Sequence, residues 1–201
     1  MRRHWTDTLF AAAALFVSAV SLWVGIRTED ANEKLVAAST WPFVQMQVNN
    51  ATPEGMPELR FDAVNTGVGP AKVMSFEVFW NGRAFHTGKE LVTACCGLKT
   101  TGGEVLPGKD NESHLLTGGV QGIILRSGET ESFIIYPLHE NNVAVWNALD
   151  KAQRVITYRI CYCSVLDECW LNTVTSQLST PGQLTPKVVK TCPVPKVAYT
   201  Q

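Results

Sequence analysis

Two periodicities divide the chain. From Leu9 to Ile26 it reads LFAAAALFVSAVSLWVGI, uncharged and without a polar face. As a helix this run spans roughly 27 Å at 1.5 Å per residue, close to the thickness of a bilayer hydrocarbon core. Trp5 and Trp23 stand near its ends, where indoles favour the interface. The pattern predicts a cytoplasmic segment over 1–8, a transmembrane helix over 9–26 and a polar helical stalk over 27–40, closed by Trp41-Pro42. Arg2, Arg3 and the amino terminus precede the run and Arg27 and Lys34 follow it, a small cation bias towards a cytoplasmic amino terminus. Two other readings compete. Val17-Ser18-Ala19 resembles a signal-peptide cleavage site, although apolar sequence continues past it. A buried core helix fits poorly, because so long an apolar run is rarely found in a small domain. Within the run Ala11, Ala14, Ser18, Ser21 and Gly25 form a stripe of small residues, a face on which helices can associate in lipid.

From residue 41 to 201 the period falls to two. Phe43–Val48, Glu58–Val64, Ala71–Trp80 and Arg83–His86 read as strands, with a turn-rich break over Asn49–Gly55. Met74, Phe76, Val78 and Trp80 are expected on one face of the third. Asn81-Gly82 is a hairpin signal, since a type I′ turn needs positive φ at both centres. Thr87 and Glu90 have capping-box spacing for a short helix that Gly97 ends, with Leu91 and Cys95 on one face. Lys99–His114 reads as an exposed loop. Ile123–Leu125 and Ser132–Tyr136 read as a strand pair about Ser127-Gly128. Val143, Trp146 and Leu149 mark a second short helix within Asn141–Gln153. Arg154–Ser164 and Cys169–Thr175 are the last strands, followed by a proline-rich strap from Ser179. The whole predicts a mainly β domain: an antiparallel sandwich with two short helices, preceded by one transmembrane helix.

The stretch LRFDAVNTGVGPAKVMSFEVFWNGRAF, Leu59 to Phe85, carries an Asn65-x-Gly67-x-Gly69-Pro70-Ala71 turn, a long alternating strand and an Asn-Gly hairpin. It resembles the opening of CARDB-type and related immunoglobulin-like modules of bacterial surface proteins. That resemblance implies an immunoglobulin-like sandwich in an adhesion, scaffold or carbohydrate-proximal role, without catalysis. Otherwise the chain resembles single-pass membrane proteins. Read physically, Gly67 and Gly69 permit backbone angles closed to other residues, Pro70 fixes φ before a strand, and Asn65 can bond nearby backbone or adopt a left-handed conformation.

Composition narrows the functions. The chain has 201 residues, 45% of them hydrophobic, enough for one domain with a core. A net charge of −1 removes the basic footprint of a general nucleic-acid binder. All six cysteines (Cys95, Cys96, Cys161, Cys163, Cys169 and Cys192) follow the apolar run, and an even count suits disulfides outside the cytoplasm. Fifteen pairings are possible. A hairpin turn favours Cys163 with Cys169, and Cys95 or Cys96 could then take Cys161 or Cys192. A bond between Cys95 and Cys96 is not expected, because that ring is strained. The rival is a copper or zinc site, since Cys161-x-Cys163 puts two thiols on one strand face and Cys95 and Cys96 could join them. Zinc-type and thioredoxin-type C-x-x-C pairs are absent.

No G-x-S-x-G or P-loop occurs, and His86, His114 and His139 are scattered over turns and loops. Asp167-Glu168 reads as a solvated turn with at most weak cation binding, and Asn50 and Asn111 head glycosylation sequons. Trp80, Tyr158, Tyr162 and Trp170 lie on strands; Trp80 shares the core phase, and the others leave a binding platform open. The expectation is therefore a non-enzymatic binding or scaffold protein in the cell membrane, needing no cofactor. Its contacts would be the bilayer through 9–26, its own or other subunits through the small-residue stripe, and an external protein or polymer. A cytoplasm-facing interaction module with reduced thiols is the topological alternative.

Overall fold

Leu9–Ile26 is apolar on every side, the pattern of a helix that is surrounded by apolar material, in a core or in a bilayer. In the computed structural model, which describes residues 2–99, 114–175 and 185–200, helix α1 runs unbroken over Arg2–Ser39. Leu9, Phe10, Leu15, Phe16, Leu22 and Trp23 are all exposed along it. Among the described residues it is the one helix long and apolar enough to cross a membrane. Thr40–Gln201 forms a second compact unit.

That unit contains two antiparallel sheets. The first has the order β1 (Val44–Ala51), β2 (Pro57–Asn65), β7 (Thr130–Pro137) and β5 (Leu116–Thr117). The second runs β10 (Lys187–Val189), β9 (Cys169–Thr175), β8 (Ile156–Cys163), β3 (Ala71–Trp80) and β4 (Arg83–Phe85), with β6 (Ile124–Leu125) also on β3. Two short helices, α2 (Gly88–Cys96) and α3 (Val143–Ala152), lie in the connections. The body is thus antiparallel β with two short helices, and with α1 the chain as a whole mixes helix and strand.

Local chemistry explains many boundaries. Asn81 and Gly82 both have positive φ, as the β3–β4 hairpin requires. Thr87 caps α2 by accepting from the Glu90 N–H at 3.1 Å, and Gly97 ends the helix at φ 72°. Glu90 reaches back to the His86 N–H, one residue before the expected cap. On α3 the buried positions are Val145 and Leu149, while Val143 is exposed and Trp146 half-buried. The Lys99–His114 loop lies largely outside the described residues.

Bulges decide which side chains enter the core. The β3–β8 register shifts between Val73 and Ser75, so Met74 is 52% exposed and Val73 is buried. The expected inward stripe therefore starts at Phe76, because one extra residue reverses the phase. A second shift, at Phe61/Asp62, leaves Phe133 on β7 without a direct partner on β2. Phe133 meets Phe61, Phe76, Tyr158 and Tyr199 edge-on at centroid distances of 6.1, 5.0, 5.7 and 5.7 Å. It joins strands of both sheets to the end of the chain.

Two expectations are corrected. β6 does not pair with β7; it pairs with β3, and the chain changes sheets through Arg126–Glu129. Gly67 and Gly69 do not have positive φ; their role is close approach. A Cβ on Gly67 would lie 2.3 Å from Phe43 N, and one on Gly69 would lie 2.1 Å from Thr40 O. Trp41 O accepts from Val68 N–H and Gly69 N–H at 3.0 and 3.1 Å.

Asn65 closes this clasp. Its Oδ1 accepts from the N–H groups of Phe43 and Gly67, each at 3.1 Å. Its Nδ2 donates to Gly69 O at 2.8 Å and Leu125 O at 3.0 Å. The residue is 0% exposed, so its carboxamide has no water as a substitute partner. Asn65→Ala should therefore cost about 3–5 kcal/mol, several times a typical exposed hydrogen bond. Urea unfolding followed by tryptophan fluorescence measures it, and a loss below about 1 kcal/mol would contradict the role assigned to the carboxamide.

Candidate functional site

Alternation along β8 sorts its side chains between two environments. Tyr158, Ile160 and Tyr162 face the core, leaving Arg159, Cys161 and Cys163 on the opposite face. Arg159 pairs there with buried Glu77 at 2.6 Å and lies over Phe79. The β8–β9 register sets Cys163 directly opposite Cys169, and the two are bridged, the pairing expected of a hairpin. Ser164 shapes the intervening turn, its Oγ accepting from Leu166 and Glu168 N–H groups. Asp167 has φ 61° and is ion-paired with Lys72.

The remaining pairs correct the expected connectivity. Cys161 is bonded to Cys192, in the segment after β10. Cys95 and Cys96, at the end of α2, are bonded to each other. The expectation that these neighbours avoid one another and reach Cys161 or Cys192 fails, because Cys161 and Cys192 already hold each other. No cysteine remains free.

Sulfur is concentrated on this face. The Sγ atoms of Cys163, Cys169 and Cys192 lie within 4.8 Å of one another. Cys163 Sγ and Cys192 Sγ are 3.8 Å apart although they belong to different bridges. Cys161, Cys163 and Cys169 are 0%, 5% and 7% exposed, and Cys192 is half-buried. An open cleft of about 530 Å³ lies over them, walled by Lys72, Met74 and Lys190 with Pro193 and Val194. As disulfides these sulfurs offer no thiolates to a soft metal; a copper or zinc set would require both bridges to be reduced. Cys95 and Cys96 stand outside the cluster, so the four-thiol metal site including them is not assembled.

The segment that carries Cys192 also completes the core. Tyr199 is fully buried, its N–H donating to Phe76 O at 3.0 Å and its hydroxyl to Phe133 O at 3.1 Å. The expected strap thus ends as a plug at the β3 edge, a role that no local pattern announced.

Other candidate residues fall elsewhere. His114 and His139, distant in sequence, stack at 3.7 Å. Desolvation, and then the nearby charge of His139, lower the His114 pKa and favour its neutral form. His86 Nδ1 lies 3.2 Å from Ala198 O. Tyr158, Tyr162 and Trp170 are buried, which closes the possibility of an aromatic platform. Pro70 leads into β3 from the Asn65 clasp. Ala11, Ala14, Ser18, Ser21 and Gly25 are exposed on α1, and the Ser18 hydroxyl bonds back to Ala14 O at 2.8 Å. Asn50 is exposed on β1, and Asn111 lies outside the described residues. No protein-family model, curated protein or solved structure matches the chain.

Loop length ranks the two bridges of the cluster. Cys161–Cys192 spans 31 residues and Cys163–Cys169 spans 6. Chain entropy assigns them about 3.7 and about 2.2 kcal/mol respectively. Replacing both cysteines of the longer bridge by alanine should therefore destabilise the domain more than the same change at the hairpin. Paired urea titrations give the ranking, and the opposite order would contradict it.

Proposed function

We propose that this chain is a membrane-anchored protein that holds a disulfide-braced β domain outside the cytoplasm as a non-enzymatic binding or scaffold module. One conjunction carries the reading: an exposed apolar helix precedes a domain in which every cysteine is bridged. Protein disulfides persist in oxidising compartments and are rare in the cytosol. The helix supplies the anchor through residues 9–26, and the small cation bias ahead of it, from Arg2, Arg3 and the amino terminus against Arg27 and Lys34, favours the same topology. The two sheets are read as an immunoglobulin-like sandwich, with the Asn65–Pro70 turn in the part it plays in CARDB-type modules. The partner is an external protein or envelope polymer, and the small-residue stripe of α1 gives a route to assembly with like or unlike helices.

Membrane-impermeant amine labelling of cells with an intact cytoplasmic membrane tests the placement. Lys72, Lys89 and Lys187 should be modified without lysis. Protection of all three until the membrane is broken would place the domain in the cytoplasm and overturn the reading. An impermeant crosslinker at native abundance should also give a discrete adduct; a strictly monomeric chain would count against a binding role.

A further inference from the structure

The two cystines on the β8–β9 face touch. Cys163 Sγ and Cys192 Sγ stand 3.8 Å apart, near sulfur van der Waals contact, and Cys169 Sγ completes a trio within 4.8 Å. Three features assemble this contact. Alternation on β8 puts Cys161 and Cys163 on one face, the hairpin register brings Cys169 opposite Cys163, and the segment after β10 lays Cys192 against Cys163. Cys163, Cys169 and Cys192 all line the open cleft, Cys192 being the most exposed of the three. Lys190 lines it too, beside the Lys72–Asp167 ion pair, and a nearby cation favours the thiolate that exchange requires.

We propose that this cleft is a thiol–disulfide exchange site in which the two cystines act as one relay, accepting two electrons from an external dithiol. A thiolate of the dithiol attacks Cys169 Sγ. A mixed disulfide forms there, the Cys163–Cys169 bond breaks, and its electron pair leaves on Cys163. The Cys163 thiolate then attacks Cys192 Sγ beside it. A Cys163–Cys192 bond forms, the Cys161–Cys192 bond breaks, and Cys161 leaves as a thiolate that takes a proton. The second thiolate of the dithiol attacks its own sulfur in the mixed disulfide and releases Cys169, which is also protonated. The dithiol departs as a disulfide, having given up two electrons and two protons. The chain has exchanged two bridges for one bridge and two thiols.

The relayed state keeps the brace. Cys192 remains bonded to β8, closing a separation of 29 residues in place of 31, so the segment leading to Tyr199 stays tethered. The released Cys161 thiol is fully buried, which favours its neutral form and shields it from further attack. Simple reduction of Cys161–Cys192 would instead leave that segment held by the burial of Tyr199, without a covalent tether.

The test uses the full chain in detergent with one equivalent of dithiothreitol. Free thiols are trapped with an alkylating reagent after acid quenching, and bridges are mapped by tandem mass spectrometry, which separates Cys161 from Cys163 across Tyr162. The dominant two-electron-reduced species should carry Cys163–Cys192, with Cys161 and Cys169 alkylated. Survival of either native bridge of the cluster, with both cysteines of the other alkylated, overturns the relay. So does the same mixture of pairings that denaturant produces. The bridge between Cys95 and Cys96 is read separately on its own peptide. Cys169→Ser gives a second reading without added dithiol. Cys163–Cys192 with Cys161 free supports the relay, and intact Cys161–Cys192 with Cys163 free contradicts it.

Discussion

A single buried carboxamide holds the ends of this domain's elements together. Asn65 accepts from Phe43 and Gly67 and donates to Gly69 and Leu125, filling its full hydrogen-bonding capacity. Those four partners belong to the segment before β1, the β2–β3 turn and β6, so one side chain ties strands of both sheets. Its backbone adds two more links, Asn65 N–H to Glu129 O and Gly128 N–H to Asn65 O, at 3.0 and 2.8 Å. These hold the turn where the chain leaves β6 for β7. Only glycine at 67 and 69 lets Thr40–Phe43 come close enough to be clasped. The bulge that presents Phe133 to the aromatic cluster lies further along the same β2–β7 ladder.

The opposite closure is made by the chain's last described segment. Cys192 pins it to the outer face of β8, and Tyr199 inserts into the aromatic cluster beside Phe76 and Phe133. One contact is covalent and the other is burial, and each limits the freedom of the segment between them. The sulfur cluster is therefore a structural brace first, and its chemistry acts on a segment that the core also holds.

Features encoded by a few adjacent residues were legible in the sequence. The Asn81-Gly82 hairpin, the Thr87 cap, the Gly97 stop and the Cys163–Cys169 bridge each depend on contacts within a few positions. The unbroken apolar run at the start was equally plain. What escaped was non-local or depended on one extra residue. A bulge turned Met74 outward, and β6 joined β3 because the chain changes sheets at Gly128. Gly67 and Gly69 were recognised as special for the wrong reason, since their constraint comes from Thr40 and Phe43. The stacking of His114 on His139 and the contact of Cys163 with Cys192 join elements that no local spacing relates. The bond between Cys95 and Cys96 ran against a strain argument that was sound locally but ignored which partners were already taken.

The domain is oxidised and braced by its cysteines, and it follows a helix long and apolar enough to cross a membrane. The most direct test is bridge mapping on the protein taken from its own membrane, alkylated before any reductant is added. The account predicts Cys161–Cys192, Cys163–Cys169 and Cys95–Cys96, with no alkylated cysteine. Six alkylated thiols would contradict it, removing both the brace and the basis for the proposed placement of the domain outside the cytoplasm.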